Sequence, residues 1–380
     1  MGARLYGRGV GNGSLAVVTA GFHEALQQAG LLEGFVAIDR AGGSEEDDAP
    51  AGALARDGIF TGNLNLLPLM RQNARHERHW VTVTPNSTHV PPQLLDAVVR
   101  LPSPHILSAS RWGSDVIFNA LCEISERSSS GVLDHFGNGY VMVRGGRVEI
   151  VLARHGVSGF SPDASAIAQA TDAFCDGKLR FVHFSTTEGQ RKGTLELLKA
   201  WQFFWPHYQN AELRLVLDHH ARAALEARMF EEDLSLLLQS FGQIGVRIMP
   251  RGDLNPAAMS QFLGTHHFVV APSRGEGFSL LPLSARACGV PCISTDSTGN
   301  GAGHVRGPGV VVVPSGPLAP IDDGPDALAP TVDPEALAQV MRDSACRWED
   351  LSKDAQVAAA DVSAVWSWHE QLKPLIERLP

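Results

Sequence analysis

The sequence predicts an α/β fold in which buried parallel strands alternate with helices, and the segment 266–303 gives the clearest reason. Its apolar run 268–271 has the length of a buried strand. A turn flanked by glycines follows, then a helix over 278–288 with Gly289 in the C′ position, and then a second buried strand over 291–295. Strand, glycine-rich turn, helix and strand form half of a nucleotide-binding unit. In such a unit the helix N-terminus points at the carboxyl edge of the sheet, where anions bind.

Length and composition are those of an ordinary water-soluble protein with enough material for two domains. The chain has 380 residues, 44% of them hydrophobic, and 31 basic against 41 acidic residues give a net charge of −10. This acidic balance argues weakly against non-specific nucleic-acid binding. There is no apolar run of the roughly 18 residues that a membrane span needs and no signal-peptide pattern, so we expect a cytoplasmic protein. The odd number of scattered cysteines indicates reduced thiols and disfavours a zinc site: Cys122, Cys175, Cys288, Cys292 and Cys346.

A glycine-rich loop opens the first predicted helix. A short strand leads into Gly7, Gly9, Gly11 and Gly13, and a helix over 15–28 follows and stops at Gly30. Such a loop lets a phosphate or a substrate approach the backbone closely. The same pattern serves any tight strand–helix turn, so both interpretations stay open.

The rest of the first half alternates strands and helices. We predict strands over 36–39, within 59–69, and over 80–84 and 105–108, helices over 93–100 and 114–122, a solvated acidic loop over 41–51, and a hairpin or edge feature over 141–152. Pro91 and Pro92 suit the start of the first of these helices. His89, in the proline-rich loop before them, is either a surface histidine or a residue of a functional cleft.

The second half repeats this alternation. We predict strands over 179–184, 213–217, 246–250 and 310–313, helices over 195–204 and 222–239, an irregular surface loop over 314–330, and a C-terminal helix ending near 379. Another helix begins at Asp333-Pro334-Glu335, with proline in its first position.

Two basic residues, Arg191 and Lys192, directly precede the predicted helix 195–204. Cations at a helix N-terminus oppose the helix dipole unless an anion binds between them. The pair therefore indicates a phosphate site, although an exposed basic pair remains the alternative.

The segment P-S-R-G-E-G-F-S-L-L-P-L-S-A-R-A-C-G-V-P, residues 272–291, resembles the donor-site signature of retaining GT-B glycosyltransferases of the family 4-like, group 1 type. That resemblance implies two Rossmann-like domains facing a central cleft. We place the N-terminal, acceptor-side domain at 1–162 and the donor domain at 163–362. The remaining segment, 363–380, is expected to form a helix that packs back on the N-terminal domain.

The resemblance also implies roles for individual residues. It assigns the catalytic residues Lys192, Arg191 and Glu276, in which the cations neutralise the leaving diphosphate and Glu276 holds sugar hydroxyls. Ser284 stands where the family has a second glutamate, and Ser185, Thr186 and Thr187 stand where it has a further arginine. The donor-binding candidates are Gly11, Gly13, Thr186, Arg251, Gly277, Phe278, Ser279, Leu280 and Ser284. The acceptor candidates are Asn86, His89, Arg111 and Trp112.

The implied activity is transfer of a hexose from a nucleotide-diphosphate sugar, with a UDP- or GDP-sugar as donor, to an acceptor hydroxyl with retention. No cofactor or metal is expected, and the chain contains no D-x-D motif. The expected acceptor is a saccharide, a lipid-linked molecule or a small molecule. One alternative is a macromolecular acceptor, such as a hydroxymethylated DNA base or a protein, bound in a basic, aromatic groove made by Arg71, Arg75, Arg78, Trp80, Arg111 and Trp112. The other is a degenerate protein that binds a nucleotide without catalysis.

Overall fold

The computed structural model describes residues 2–8, 14–38, 44–46, 56–61, 76–125, 130–185, 191–217, 242–250, 252, 254–321, 324 and 326–379. Its contacts divide the chain into two compact units. The N-terminal unit comprises Met1–Ser158 together with Val365–Pro380, and the C-terminal unit comprises Gly159–Ala364. The boundaries expected from the sequence were residues 162 and 363.

The N-terminal unit is built on a nine-stranded sheet in the order β3-β2-β1-β4-β5-β6-β9-β8-β7. The strands from β2 to β9 in this order are parallel, β3 and β8 run antiparallel to them, and β7 pairs antiparallel with β8. The strands are β1 Ala3–Arg8, β2 Leu32–Ile38, β3 Ser44–Glu46, β4 Asp57–Thr61, β5 Arg78–Val83, β6 Pro104–Ser108, β7 Gly131–Leu133, β8 Gly139–Val143 and β9 Gly146–Leu152.

The predicted strands and the hairpin over 141–152 are confirmed in this unit, but two predictions need correction. The segment 41–51 is not wholly a solvated turn, because Ser44–Glu46 adds a strand to the open edge of β2. The short strand β7 was not predicted, since its three residues are too few to show an alternating pattern.

Among the described residues before Ser158, the helices of the N-terminal unit are α1 Ser14–Gln28, α2 Pro92–Val99 and α3 Arg111–Ile124. Pro91 and Pro92 begin α2 as predicted. The third helix starts three residues earlier than predicted, because the Ser110 side chain caps it by accepting a hydrogen bond from the backbone N–H of Gly113 at 3.1 Å. Arg111 and Trp112 therefore lie in the first turn of α3.

The C-terminal unit has a six-stranded parallel sheet in the order β12-β11-β10-β13-β14-β15, with a separate antiparallel hairpin of β16 and β17. The order corresponds to 3-2-1-4-5-6, the arrangement of a doubly wound nucleotide-binding sheet. The strands are β10 Leu179–Ser185, β11 Ala211–Leu217, β12 Val246–Pro250, β13 Phe268–Ala271, β14 Cys292–Thr295, β15 Val310–Val313, β16 Ser315–Pro320 and β17 Leu328–Val332. All six predicted strands of the sheet are confirmed.

The helices of this unit are α4 Ala164–Cys175, α5 Thr194–Phe204, α6 Pro256–Gly264, α7 Leu280–Ala287, α8 Pro334–Cys346 and α9 Trp348–Val365. Asp333 caps α8 and Pro334 is its first residue, as predicted. No prediction was made for α4, α6 and α9, and the predicted helix over 222–239 lies outside the described residues. Stacked aromatic rings hold the centre of the sheet, with Phe181 of β10 and Phe268 of β13 at a ring-centroid distance of 5.1 Å.

The prediction of an irregular loop over 314–330 is wrong. Strands β16 and β17 form a hairpin in which Leu318 lies opposite Pro330 and Pro320 lies opposite Leu328. Proline suppresses the strand signal in a sequence, yet it is tolerated in a two-stranded ribbon because each strand has an outer edge that needs no N–H donor.

The last helix, α10 Trp368–Ile376, belongs to the N-terminal unit. Gly21 of α1 provides the space for Trp368, since a Cβ atom on Gly21 would lie 2.1 Å from the indole ring. The backbone N–H of Val157 donates to the carbonyl of Trp366 at 2.8 Å. The guanidinium of Arg78 donates to the carbonyl of Arg378 at 2.8 Å.

Candidate active site

The candidate site lies where the strand order of the C-terminal sheet reverses. Strands β10 and β13 are neighbours in the middle of this sheet, and the chain leaves their carboxyl ends toward β11 on one side and β14 on the other. In doubly wound sheets this switch point is where ligands bind. The segment 191–193 reaches the switch point after β10, and the signature turn 272–279 reaches it after β13.

Three charged side chains from these two segments meet at the switch point. The Lys192 Nζ lies 2.5 Å from Oε1 of Glu276, and Nη1 of Arg191 lies 3.1 Å from Oε2. The hydroxyl of Ser273 also donates to Oε1, at 3.0 Å. The Glu276 side chain is only 6% exposed, whereas Lys192 keeps 20% of its side chain exposed. We call Arg191, Lys192 and Glu276 the charged triad.

The electrostatics of the charged triad keep its carboxylate ionised. Burial alone would raise the pKa of Glu276, but the charges of Lys192 and Arg191 outweigh it and lower this pKa to about 2. One carboxylate and two cations then leave a single net positive charge. The sequence indicated a phosphate site at Arg191 and Lys192; in the structure both cations pair with the Glu276 carboxylate.

Backbone hydrogen bonds fix the two segments to each other. The N–H groups of Arg274 and Gly275 both donate to the carbonyl of Arg191, at 2.8 and 3.4 Å. In return Nη1 of Arg191 donates to the carbonyl of Gly275 at 2.8 Å. The charged triad is therefore held by the main chain as well as by its own charges.

Glycine is required at position 193 for two independent reasons. Its φ is +68°, in the left-handed region, and a Cβ atom there would lie 2.0 Å from the carbonyl oxygen of Pro272. The close approach of the two backbones brings Lys192 to Glu276.

We expect Gly193→Ala to lower kcat/KM for the transfer activity that the sequence resemblance implies by about 100-fold, because a displacement of about 1 Å in the backbone beside Lys192 suffices for such a loss. Steady-state kinetics on the folded variant measure this. The matched control is Gly177→Ala: Gly177 has a similar φ of +73°, but no atom lies within 4 Å of its would-be Cβ. Equal activity of the two variants would contradict the importance of this backbone contact.

The loop after β14 also supports the signature turn. The Thr298 hydroxyl accepts a hydrogen bond from the N–H of Glu276 at 3.1 Å, and the N–H of Gly299 donates to the carbonyl of Glu276 at 2.7 Å. A Cβ on Gly299 would lie 2.0 Å from the carbonyl oxygen of Gly277. The sequence analysis assigned no role to this loop.

A buried histidine lies under the charged triad and was also missed. The His183 Nδ1 is 2.8 Å from the carbonyl of Val270, and its Nε2 is 2.9 Å from the hydroxyl of Thr194. Burial, together with the charge of Lys192, lowers the pKa of His183 to about 4, so the imidazole is neutral at pH 7. It joins β10, β13 and the start of α5 without adding charge.

Arg274 of the signature turn is a further residue that the sequence analysis did not single out. It is buried, and its guanidinium donates to the carbonyls of Pro330 at 3.0 Å and Pro320 at 3.3 Å. Both carbonyls belong to the β16–β17 hairpin. The hairpin is thus tied to the turn that carries Glu276.

The donor-binding candidates that the structure describes lie around the N-terminus of α7. Ser279 is the N-cap residue, its side chain makes no cap hydrogen bond, and Leu280 begins the helix. Phe278 stacks on His304 at a ring-centroid distance of 4.0 Å, and Gly277 precedes it. Ser284 is buried one turn further along the helix. The other candidates, Gly11, Gly13, Thr186 and Arg251, lie outside the described residues.

The acceptor candidates all lie beyond the carboxyl ends of parallel strands in the N-terminal unit. Asn86 and His89, both half-buried, follow β5, while Arg111 and Trp112 follow β6. Arg111 is engaged within its own helix, because its Nη2 lies 2.8 Å from Asp115. Trp112 is half-exposed.

The four described residues among those suggested for a basic, aromatic groove do not lie together. Trp80 is fully buried and donates to Asp57 at 2.8 Å, and Arg78 pairs with the same carboxylate at 2.6 Å. Both lie near the amino end of β5, the opposite edge of the sheet from Arg111 and Trp112. Arg71 and Arg75 lie outside the described residues.

In the part of the chain that the structure describes, no helix is long and apolar enough to cross a membrane. No group of three or more His, Cys, Asp or Glu side chains there is placed to hold a metal ion.

The sheet order defines a Rossmann-like unit with the charged triad at its switch point. Residues 178–344 match the family described as Glycosyl transferases group 1. No significant match was found among curated protein sequences.

Solved structures share the fold of the whole chain. An α,α-trehalose-phosphate synthase (UDP-forming) from Burkholderia xenovorans, in complex with glucose-6-phosphate, is similar with a TM-score of 0.64 and 10% identity over 99% of this chain and 100% of that one. Sucrose-phosphate synthase from Thermosynechococcus elongatus is similar with a TM-score of 0.63 and 15% identity, over 99% of this chain and 97% of that one. HepE from Anabaena, in complex with UDP and glucose, is similar with a TM-score of 0.63 and 13% identity, over 100% of this chain and 99% of that one. The predicted GT-B class, with two Rossmann-like domains, is confirmed.

Proposed function

We propose that the protein transfers a hexose from a nucleotide-diphosphate sugar to an acceptor hydroxyl, with retention of anomeric configuration and without a metal ion. The charged triad at the switch point carries this proposal. Lys192 and Arg191 stabilise the charge that develops on the departing diphosphate as its bond to the sugar breaks. The N-terminus of α7 contributes a favourable dipole at the same edge of the sheet.

Glu276 suits a binding role better than a nucleophilic one. Its pKa of about 2 marks a weak base, and two cations and a serine hydroxyl already occupy its oxygens. Oε1 already accepts from Lys192 and Ser273, whereas Oε2 pairs with Arg191 and keeps one acceptor site. We assign that site to a hydroxyl of the donor sugar, and Glu276 also orients Lys192. Retention then proceeds without a covalent sugar–enzyme intermediate, with the acceptor oxygen entering on the face that the diphosphate leaves.

The proposal of metal independence rests on the same charges. Lys192 and Arg191 supply, next to the leaving group, the positive charge that a bound metal supplies in other transferases. Activity is therefore expected to be unchanged by a chelator such as EDTA.

UDP-glucose is the first donor to test, because the similar structures include a UDP-forming synthase and a complex with UDP and glucose. The full-length protein is incubated with UDP- and GDP-sugars and a panel of sugar acceptors, and release of the nucleoside diphosphate is followed with and without EDTA. The anomeric configuration of the product is read by proton NMR. An inverted product, or activity that EDTA abolishes, would contradict the proposal.

A second candidate function is nucleotide binding without catalysis. Ser284 favours it, because one hydroxyl cannot accept hydrogen bonds from two ribose hydroxyls as a carboxylate can. Tight UDP binding without transfer or donor hydrolysis in the same assays would support this candidate.

A further inference from the structure

Arg154, in the N-terminal unit, is a cation with no counter-charge among the described residues. It follows β9 by two residues and is half-buried. Within the described part of the chain it makes no ion pair, and its buried Nε has no hydrogen-bond partner. By contrast Arg78, Arg111 and Arg147 each pair with a carboxylate.

An unpaired arginine in this position is energetically unfavourable. Guanidinium stays charged at neutral pH, and partial burial removes water without supplying another partner. Burial accordingly lowers the pKa of Arg154, with no ion pair to offset it. An anionic ligand would therefore stabilise the guanidinium of Arg154 more than it would stabilise an arginine that is already paired.

The location of Arg154 is one where ligands bind. Strands β6 and β9 are parallel neighbours, with Ser108 opposite Leu152, and the N–H of Ala153 donates to the carbonyl of Ser108 at 2.8 Å. Arg154 therefore emerges at the carboxyl edge of the sheet, beside the segment that leads from β6 into α3. Ligands of open α/β sheets bind along this edge.

Trp112 is a second, independent feature of the same edge. It lies in the first turn of α3, is half-exposed, and has no hydrogen bond or ring contact among the described residues. An indole face that remains open to solvent is a surface on which a sugar ring can pack. Asn86 and His89 follow β5, the strand on the other side of β6, and add polar groups suited to sugar hydroxyls.

We infer that the N-terminal unit binds a sugar acceptor carrying an anionic group, a phosphate ester or a carboxylate, with Arg154 pairing with the anion and Trp112 packing against the ring. This inference rests on the proposed function for the acceptor role of the ligand. The donor diphosphate is assigned to the charged triad, so Arg154 contributes to acceptor affinity and not to donor affinity.

The experiment measures binding to the full-length protein by calorimetry at constant ionic strength. The probes are glucose 6-phosphate, mannose 6-phosphate, glucuronate, their neutral parent sugars, inorganic phosphate and UDP. The variants are Arg154→Gln, Arg154→Lys and Trp112→Ala. Arg147→Gln is the matched control, since Arg147 lies on β9, the strand that precedes Arg154, but is exposed and paired with Glu149.

We expect at least one anionic sugar to bind wild-type protein about tenfold or more tightly than its neutral parent. Arg154→Gln removes that difference, Arg154→Lys retains part of it, and Arg147→Gln leaves it unchanged. Trp112→Ala lowers the affinity for the anionic sugar but not the affinity for inorganic phosphate. The affinity for UDP stays the same in all variants. The thermal stability of Arg154→Gln is not reduced, because no partner is lost.

Two outcomes overturn the inference. In the first, no anionic sugar binds the wild-type protein more tightly than its neutral parent does. In the second, Arg154→Gln binds the anionic sugars with wild-type affinity. A fall in UDP affinity in Arg154→Gln would also overturn it, by assigning the arginine to the donor. Failure of the proposed function would give a different result from failure of this inference. Sugar transfer would be absent, while the difference in affinity between anionic and neutral sugars would remain.

Discussion

Lys192→Met is expected to lower kcat/KM for sugar transfer by at least about 100-fold, which corresponds to about 2.7 kcal/mol of transition-state stabilisation. Lys192 is the most exposed of the three members of the charged triad, with 20% of its side chain accessible, so it is the cation best placed to meet a diphosphate. Methionine keeps the length of the side chain but not the charge.

The control for this experiment lies on the helix that follows. Lys199 is an exposed lysine of α5, and Lys199→Met removes the same charge from a position away from the switch point. Its kinetics are expected to match the wild type. A loss of less than threefold in folded Lys192→Met protein would contradict the role assigned to Lys192.

Glu276→Gln is expected to impair catalysis without weakening nucleotide binding. The transfer rate falls by roughly 100-fold, because the sugar hydroxyls and Lys192 lose their carboxylate partner. UDP affinity stays the same or rises, since the net charge beside the diphosphate increases when the only anion of the charged triad is removed. Transfer kinetics and calorimetry with UDP measure the two effects.

Parallel losses of UDP affinity and rate in Glu276→Gln would contradict this assignment and make Glu276 a residue that mainly holds Arg191 and Lys192 in place. A double-mutant cycle with Lys192→Met separates the two roles, because the coupling energy reports how far the side chains act through each other.

The same variant has a defined pH signature in stability. The pKa of Glu276 is lowered from 4.5 to about 2 in the folded protein, so the carboxylate stabilises the fold fully above pH 4.5. That contribution is lost as the pH falls toward 2. The difference in free energy of unfolding between wild type and Glu276→Gln is therefore expected to shrink over this range.

Most elements of both sheets could be predicted from the sequence, because their signals are local. The apolar run of β13, the glycine after α7 and the Asp333-Pro334 start of α8 each depend on a few consecutive residues. The central role of the turn around Glu276 also followed from a short motif. The charge balance of the charged triad could not be predicted, since a sequence does not show that a carboxylate and two cations from separate segments pair with each other.

The parts that the sequence did not predict depend on contacts between distant residues. Arg274 reaches the carbonyl of Pro330, 56 residues away, and this contact helps to order a hairpin whose prolines indicated a loop. Thr298 lies 22 residues from Glu276, so its support of the signature turn is invisible to local patterns. Arg154 has no sequence signal, because its significance is that no described residue pairs with it.

The tail that completes the N-terminal unit has a consequence for synthesis on the ribosome. Trp368 fills the space above Gly21, and Val157 is hydrogen-bonded to Trp366, yet the entire C-terminal unit is translated before these residues emerge. The first half of the chain must therefore wait, with one apolar flank of α1 uncovered, until after the second half has had time to fold.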